Sequence, residues 1–283
     1  MKFTKMHGLG NDYIYIDCFT EKIADPAAFA RKMSDRHFGI GGDGVILICP
    51  SDVADVRMDM YNADGSRGEM CGNGIRCVGK YAYDSGITDK TEITVETLAG
   101  IKQLSMEVVD GKVKTVTVNM GAPEFAPEKI PVDVPKDFAL TDGKVIGLPL
   151  DAGEIIRKGT CVSMGNPHVV FFEEDIDHLP LEVAGPIYES HPAFPQRVNA
   201  EFAEVLNSSH IKMRVYERGS GETLACGTGA CAVLVASHLN GLAAPEADIQ
   251  LLGGTLHIRW DKEANTVYMT GPAETVFSGE VEE

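Results

Sequence analysis

The chain has 283 residues, of which 44% are hydrophobic and 24% charged, and its formal net charge is −17. This balance is typical of a globular protein with a substantial core, and so acidic a surface disfavours nucleic acid and anionic membranes as partners. No run approaches the roughly 20 apolar residues of a membrane span, and residues 1–7 contain no apolar signal segment. We therefore expect a cytoplasmic protein.

Strand and helix signals alternate along the first part of the chain. They predict a strand at 13–16, a helix at 26–37, strands at 45–48 and 56–61, a helix at 73–85, and strands at 93–98, 104–109 and 113–120. Gly86 directly follows the second helix, where glycine is the usual C-terminal signal. The G-x-G-x-x-G pattern at 39–44 follows a helix and precedes a strand, which is the reverse of the dinucleotide-binding arrangement. We therefore interpret it as a loop.

The second part of the chain repeats features of the first at an offset of 155 residues. The matched pairs are Asn11 and Asn166, Met58 and Met213, Tyr61 and Tyr216, Cys71 and Cys226, and Gly86 and Gly241. The segments predicted there are strands at 168–172 and 211–216, a helix at 228–240, and strands at 249–252, 255–260 and 266–269. The second of the two repeated helices is apolar all round between 230 and 236, which indicates a central, buried position.

A single offset shared by several separated features indicates a duplicated α/β unit. We expect the first copy to span 1–121 and the second 122–271, joined near Gly121. The last residues, 272–283, have no counterpart at the end of the second copy, and we expect them to return to the first domain. The predicted fold class is α/β (α+β), with two pseudo-symmetric duplicated domains.

Two of the seven cysteines, Cys71 and Cys226, stand at the same place in both copies, each in Cys-Gly-x-Gly at the start of a predicted helix. The free N–H groups and the helix dipole stabilise negative charge there, so we expect a lowered thiol pKa beside a cradle for a carboxylate. Neither Cys-x-x-Cys nor a common zinc-binding spacing occurs. The other five cysteines are expected to be core residues.

A pair of opposed thiols suits inversion at a carbon with an acidifiable hydrogen. One thiolate removes the proton from one face and the other thiol delivers a proton to the opposite face. A carboxylate bound by the helix N-termini takes up the charge that develops in the transition state. Such a reaction needs no metal, and no lysine context suggests pyridoxal phosphate, so the expected cofactor is none.

At these residues the sequence resembles the diaminopimelate epimerases. The resemblance extends over nearly the whole chain and rests on segments 3–13, 61–66, 71–77, 165–168, 198–202, 216–223 and 225–229. It implies interconversion of LL- and meso-2,6-diaminopimelate for lysine and peptidoglycan precursors, without pyridoxal phosphate. It further implies that each domain is a curled, mostly antiparallel sheet or barrel around a central helix, with the active site in the cleft between the domains, and that the enzyme is a homodimer.

The resemblance also assigns roles to residues. Cys71 would accept the proton and Cys226 would donate one in the LL-to-meso direction, with His168 and Glu217 tuning the thiols. The residues that would bind substrate are Asn11, Asn62, Gly72, Asn73, Asn166, Asn199, Glu217, Arg218, Gly227 and Thr228. A distal ammonium group suits the Glu217 carboxylate and a distal carboxylate suits an arginine. Some family members have a substrate-contacting glutamine where this chain has Gly44, so that contact would be absent or made by backbone.

Three alternatives remain beside this prediction. A racemase or epimerase of another amino acid, such as proline or hydroxyproline, would have the same fold, although Glu217 and Arg218 favour a substrate with a second zwitterionic end. A non-catalytic binding protein would have lost one thiol, and both are present. A dithiol redox protein would use Cys71 and Cys226 as a disulfide pair.

Overall fold

The computed structural model describes residues 1–153 and 155–282, so Glu154 and Glu283 lie outside the described residues. Within the described ranges the chain forms four helices and 18 strands. The mixed α/β (α+β) class predicted from the sequence is confirmed. In the part of the chain that the structure describes, no helix is both long and apolar enough to cross a membrane.

The chain divides into two compact units. Unit 1 comprises Met1–Asn119 and Thr270–Glu283, and unit 2 comprises Met120–Met269. The sequence predicts one domain at 1–121 with 272–283 and a second at 122–271. These bounds describe how far each duplicated copy extends, and they stay a prediction. The final residue of the predicted returning segment, Glu283, lies outside the described residues.

The elements of the first part of the chain include two helices. They are β1 (Lys2–Gly8), β2 (Asn11–Asp17), α1 (Pro26–Met33), β3 (Gly44–Cys49), β4 (Val56–Asn62), β5 (Arg67–Gly68), α2 (Gly72–Asp84), β6 (Glu92–Thr97), β7 (Gly100–Val109) and β8 (Lys112–Gly121).

The second part has the same order of elements, with one additional strand at its start and one at its end. They are β9 (Leu148–Ala152), β10 (Ile155–Ser163), β11 (Pro167–Phe172), α3 (Leu181–Glu189), β12 (Asn199–Asn207), β13 (His210–Glu217), β14 (Gly221–Glu222), α4 (Gly227–Leu239), β15 (Glu246–Leu251), β16 (Gly254–Asp261), β17 (Thr266–Pro272) and β18 (Glu274–Glu280).

Each unit has the same pattern of strand pairing. In unit 1, β2 and β3 are parallel and so are β4 and β6, whereas β1–β2, β3–β4, β6–β7 and β7–β8 are antiparallel. In unit 2 the parallel pairs are β11–β12 and β13–β15. Parallel neighbours need a crossover connection, and helices α1 to α4 lie in those four crossovers. The strand β18 pairs antiparallel with β1 in unit 1.

Helices α2 and α4 are the central helices of their units. The first contacts β1, β2, β3, β4 and β7, and the second contacts β10 to β13, β15 and β16. A helix reaches this many strands only if the sheet curls around it. The predicted burial of the apolar helix at 230–236 is confirmed, because every residue in that range is buried.

The predicted and observed helices agree within one residue for α2 and α4, and both end before a glycine in the left-handed region, with φ +80° at Gly86 and +72° at Gly241. Helix α1 ends at Met33, four residues before the predicted end at 37. The Asp35 carboxylate accepts from the backbone N–H groups of His37 and Phe38, and this local turn competes with helix. Residues 39–43 of the glycine-rich pattern form a loop, as expected, and Gly44 is the first residue of β3.

Helix α3 was not predicted from the sequence, because Gly185 and Pro186 lie inside it and interrupt the helical signal. Of the five cysteines expected in the core, Cys49, Cys77, Cys161 and Cys231 are buried, but Cys18 is only half-buried at the end of β2.

Candidate active site

The two repeated cysteines are the N-caps of the two central helices. Cys71 and Cys226 both have extended backbone conformations, with φ −126° and −120°. The N–H of Gly74 donates to Cys71 Sγ at 3.3 Å, and the N–H of Gly229 donates to Cys226 Sγ at 3.4 Å. A sulfur in the N-cap position thus takes the place of the usual Ser, Thr, Asp or Asn oxygen. Gly72, Asn73, Gly227 and Thr228 form the first turns that follow.

In unit 1, Asn11 lies directly against the first thiol. Its Oδ1 accepts a hydrogen bond from Cys71 Sγ at 3.1 Å, and its Nδ2 donates to Asp43 Oδ2 at 2.7 Å. Asp43 fixes the amide orientation because a carboxylate can only accept. Asn11 therefore presents an acceptor to the protonated thiol.

Two further side chains of unit 1 affect the pKa of Cys71. Burial raises the pKa of the Cys71 thiol, whereas the backbone N–H groups of Gly74 and Asn73, the Tyr13 side chain and the charge of Arg76 lower it. Arg76 is fully buried on α2, and it donates to the carbonyl oxygens of Gly72 at 3.1 Å and of Pro272 at 3.1 Å. The charge that acts on this thiol is thus positive.

In unit 2 the corresponding thiol has negatively charged neighbours. Burial raises the pKa of Cys226 well above its usual value, and the carboxylates of Glu217 and Glu201 raise it further. The Thr228 side chain, whose Oγ1 lies 3.6 Å from Cys226 Sγ, and the N–H of Gly229 oppose this effect. The thiol itself is buried.

A chain of hydrogen bonds runs from Glu201 on β12 to Thr228. His168 is fully buried, and its Nδ1 lies 2.6 Å from Glu201 Oε1 while its Nε2 lies 3.0 Å from Asn166 Oδ1. The Asn166 amide nitrogen then donates to Thr228 Oγ1 at 3.3 Å. Each ring nitrogen of His168 thus has an oxygen partner, one on Glu201 and one on Asn166.

The lowered thiol pKa expected at the helix N-termini is wrong for both cysteines. The N–H groups and helix dipole do favour the thiolate, but burial removes water from the sulfur and disfavours its charged form by more. The residue contexts of the cysteines in the sequence do not show this degree of burial.

Two of the predicted substrate residues use their side chains within the protein. Asn62 donates to Ser66 Oγ at 2.9 Å in the turn after β4. Asn199 is buried, and its amide donates to the Pro167 carbonyl at 2.8 Å and accepts from the N–H of Arg218 at 2.9 Å. Asn199 therefore positions the loop that carries Arg218, and its role in binding substrate stays a prediction.

The remaining predicted residues of unit 2 lie at the end of β13. Glu217 accepts from the hydroxyl of Thr223, and Arg218 donates to the carbonyl of Gln196 at 3.3 Å. The charge of Glu217 reaches Cys226, so the structure brings Asn166, His168, Glu217 and Thr228 together around the Cys226 turn.

At Gly44 the structure explains why no side chain is present. A Cβ on this residue would lie 2.1 Å from the carbonyl oxygen of Tyr61 and 3.0 Å from the Tyr13 ring. The glutamine contact noted for some family members has no side-chain equivalent at this position.

Three functional candidates were missed at the sequence level: Tyr13, Arg76 and Glu201. They lie in β2, α2 and β12 respectively, and Glu201 lies 155 residues after Ile46 in the repeat. A charged residue at a repeat position that is apolar in the other copy is a signal that could have identified Glu201.

One group of acidic side chains in the described ranges has the spacing of a cation site. It consists of Asp175, Asp177 and Glu204. Lys212 already pairs with Asp177 at 2.5 Å and with Glu204 at 3.4 Å, so two of these three carboxylates have a lysine partner within the protein.

The fold and the paired N-cap cysteines define a class of α+β protein with two similarly built units. The solved structures with this fold include a phenazine biosynthesis protein of the PhzF family from Bacillus anthracis, with a TM-score of 0.71 and 19% identity, covering 100% of this chain and 99% of that one. They also include a hydroxyproline epimerase from Agrobacterium vitis, with a TM-score of 0.70 and 16% identity, covering 99% and 90%. At these identities the likeness concerns the fold.

The sequence comparisons are more specific. The family model described as diaminopimelate epimerase matches residues 3–126 and 160–276. A diaminopimelate epimerase of Acetivibrio thermocellus is 58% identical over 282 residues, covering 100% of this chain and 99% of that protein. One from Methanococcus maripaludis is 55% identical over 282 residues, covering all of both. The chain belongs to the diaminopimelate epimerase family.

Proposed function

We propose that this protein is an isomerase that interconverts LL- and meso-2,6-diaminopimelate, with Cys71 and Cys226 as its acid/base pair. The observation that carries the proposal is the full-length match to this family combined with a thiol at the N-cap of each central helix. A small amino acid is the substrate class that such a site suits, because each first turn offers N–H groups to a carboxylate.

In the LL-to-meso direction, the Cys71 thiolate removes the α-proton and the Cys226 thiol delivers a proton to the opposite face. Asn11 accepts from Cys71 when it carries a proton, and the N–H of Gly74 stabilises the thiolate. After turnover Cys71 is protonated and Cys226 ionised, so the reverse reaction uses the same two groups with exchanged roles.

The carboxylate at the reacting centre would be held by the first turns at Gly72, Asn73, Gly227 and Thr228. Hydrogen bonds from these turns gain strength as the α-carbon loses its proton and charge moves onto the carboxylate oxygens. Arg218, Glu217 and the asparagines Asn11, Asn62, Asn166 and Asn199 are proposed to recognise the distal amino-acid end. No cofactor is required by this mechanism, and a homodimer in the cytoplasm is the proposed form.

Proton NMR in deuterated water tests the reaction. Wild type is expected to replace the α-hydrogen of LL-diaminopimelate with deuterium while the meso isomer forms, under reducing conditions and after dialysis against a chelator. Cys71→Ser and Cys226→Ser should each slow inversion by about 10²–10⁴-fold. Cys18→Ser, at a half-buried cysteine outside the N-cap turns, is the matched control and should retain it.

If wild type leaves that hydrogen in place, diaminopimelate is not the substrate. Deuterium exchange into proline or hydroxyproline would then favour the other racemase chemistry. Light scattering coupled to size exclusion tests the homodimer, and a monomer mass at micromolar concentration would contradict it.

A further inference from the structure

The buried carboxylate of Glu201 has no part in the reaction described so far. It lies on β12 with no exposed surface, and its Oε2 is a buried atom without a hydrogen-bond partner. Leaving a buried carboxylate oxygen without a hydrogen bond destabilises the folded protein. A structural role would be served at lower cost by an apolar residue, as the first copy of the repeat shows.

That first copy has Ile46 at the position of Glu201. A Cβ built on Gly74 would lie 2.6 Å from Ile46 Cδ1, and a Cβ built on Gly229 would lie 2.9 Å from Glu201 Oε1. Both side chains therefore support the same glycine of the N-terminal turn, one with a methyl group and the other with a carboxylate oxygen.

The carboxylate lies close to the thiol as well. The same hypothetical Cβ on Gly229 is 3.2 Å from Cys226 Sγ. Cys226 Sγ and Glu201 Oε1 therefore both lie close to Gly229 in the first turn of α4. The other Glu201 contact is the 2.6 Å hydrogen bond with His168 Nδ1. Glu201 is thus placed between the imidazole and the helix turn that carries the thiol.

Titratable groups lie near Cys226 on strands packed against α4. The carboxylates of Glu201 on β12 and Glu217 on β13 raise the pKa of Cys226, and His168 of β11 contacts one oxygen of Glu201. Burial raises the pKa of Glu201 itself, and the contact with His168 opposes this increase. A negative charge near a buried sulfur disfavours the thiolate.

We propose that Glu201 is a positioning residue, which holds His168 through Nδ1 and keeps Cys226 protonated in the resting enzyme, so that Cys226 acts first as the acid and Cys71 as the base. This inference deepens the proposed function and rests on it for the direction of proton transfer. The placement of the imidazole and the ionisation of the thiol do not depend on the substrate.

Glu201→Gln tests the proposal because it preserves the shape and removes the charge. Selective ¹³Cβ labelling of cysteine allows the ionisation of Cys226 to be followed by NMR as pH is raised, and ¹⁵N labelling of histidine shows which nitrogens of His168 carry hydrogen. Glu204→Gln, on the same strand but paired with Lys212, is the matched control.

In Glu201→Gln the midpoint for Cys226 is expected to fall by about one pH unit, which corresponds to about 1.4 kcal/mol, while the Cys71 midpoint stays in place. The His168 Nδ1–H signal of wild type should shift or disappear. Glu204→Gln should leave both thiols and His168 as in wild type.

A Cys226 midpoint that is unchanged or higher in Glu201→Gln would overturn the proposal. If Glu201→Gln does not fold, Glu201→Asp provides the second test, because aspartate retains the charge on a shorter side chain. Loss of the His168 Nδ1–H signal together with an unchanged Cys226 midpoint would show that the placement of His168 and the protonation of Cys226 are independent. That result would contradict the proposal. Both experiments read the free enzyme, so failure of the diaminopimelate assay would not alter their outcome.

Discussion

The Cys71 turn of unit 1 and the Cys226 turn of unit 2 have the same backbone and opposite electrostatics. Both sulfurs cap a 13-residue helix and accept from the N–H three residues later. At an offset of 155, however, Arg76 corresponds to Cys231, Ile46 to Glu201 and Asn62 to Glu217. Unit 1 thus places a cation near its thiol and unit 2 places carboxylates near its own.

The two turns therefore share their backbone geometry but differ in the charges around their thiols. A two-base inversion starts from one thiolate and one thiol. If the surroundings were identical, half of the singly ionised molecules would hold the proton on the wrong sulfur. A cation on one side and anions on the other favour the state with Cys71 ionised.

The largest expected effect comes from removing either sulfur. Cys71→Ala and Cys226→Ala should each lower kcat/KM for inversion by about 10²–10⁴-fold, since this is the usual contribution of a positioned acid or base. Steady-state assays in both directions measure it. Retention of more than a tenth of wild-type kcat/KM in either variant would contradict the assignment of Cys71 and Cys226 as the acid/base pair.

The next effect concerns the charge of Arg76. Arg76→Met should raise the pKa of Cys71, because the cation that favours the thiolate is lost. It should also destabilise the protein by about 1–3 kcal/mol, because the side-chain hydrogen bonds to the carbonyls of Gly72 and Pro272 are lost. The pH profile of LL-to-meso kcat/KM rises as Cys71 ionises, so this limb should move to higher pH. Arg76→Lys retains the charge, and a limb displaced equally in both variants would contradict the electrostatic explanation.

A smaller effect is expected at Thr228. Thr228→Val removes the hydroxyl 3.6 Å from Cys226 Sγ, which opposes the raised pKa of that thiol. The descending limb of the same profile, where the Cys226 thiol is lost, should therefore move to higher pH. Thr228→Ser retains the hydroxyl and serves as the control. A descending limb that moves to lower pH in the valine variant would exclude this role.

The smallest effect is expected where the two units are alike. Gly86 and Gly241 both follow a central helix with positive φ and with no atom within 4 Å of a built Cβ. Substitution by alanine should cost about 1–2 kcal/mol at each position, because only left-handed backbone strain is added. Chemical denaturation measures both, and a difference above 1.4 kcal/mol, a tenfold change in the folding constant, would show that the scaffolds are not equivalent.

The sequence permitted prediction of the scaffold because its signals are local. The glycines after α2 and α4 and the repeated Cys-Gly-x-Gly determine where both central helices begin and end. Helix α3 escaped prediction because its packing compensates for Gly185 and Pro186, which local propensity counts against a helix.

The candidate site was predictable only in part. Motifs in the sequence predict Cys71, Asn11, His168 and Thr228 as site residues, but the pKa values of the thiols depend on burial and on charges from distant parts of the chain. Glu201 is 25 residues before Cys226 in sequence, and its contact with the N-terminal turn exists only once β12 packs against α4.

The most direct test of the inequality of the two thiols is a pH titration of the wild-type protein with ¹³Cβ-labelled cysteine, in which Cys71→Ser and Cys226→Ser assign the two signals. The structure predicts that Cys71 ionises at lower pH than Cys226. Cys77 serves as an internal reference for a buried helical thiol, because burial raises its pKa to about 11. Coincident midpoints, or ionisation of Cys226 before Cys71, would contradict the account.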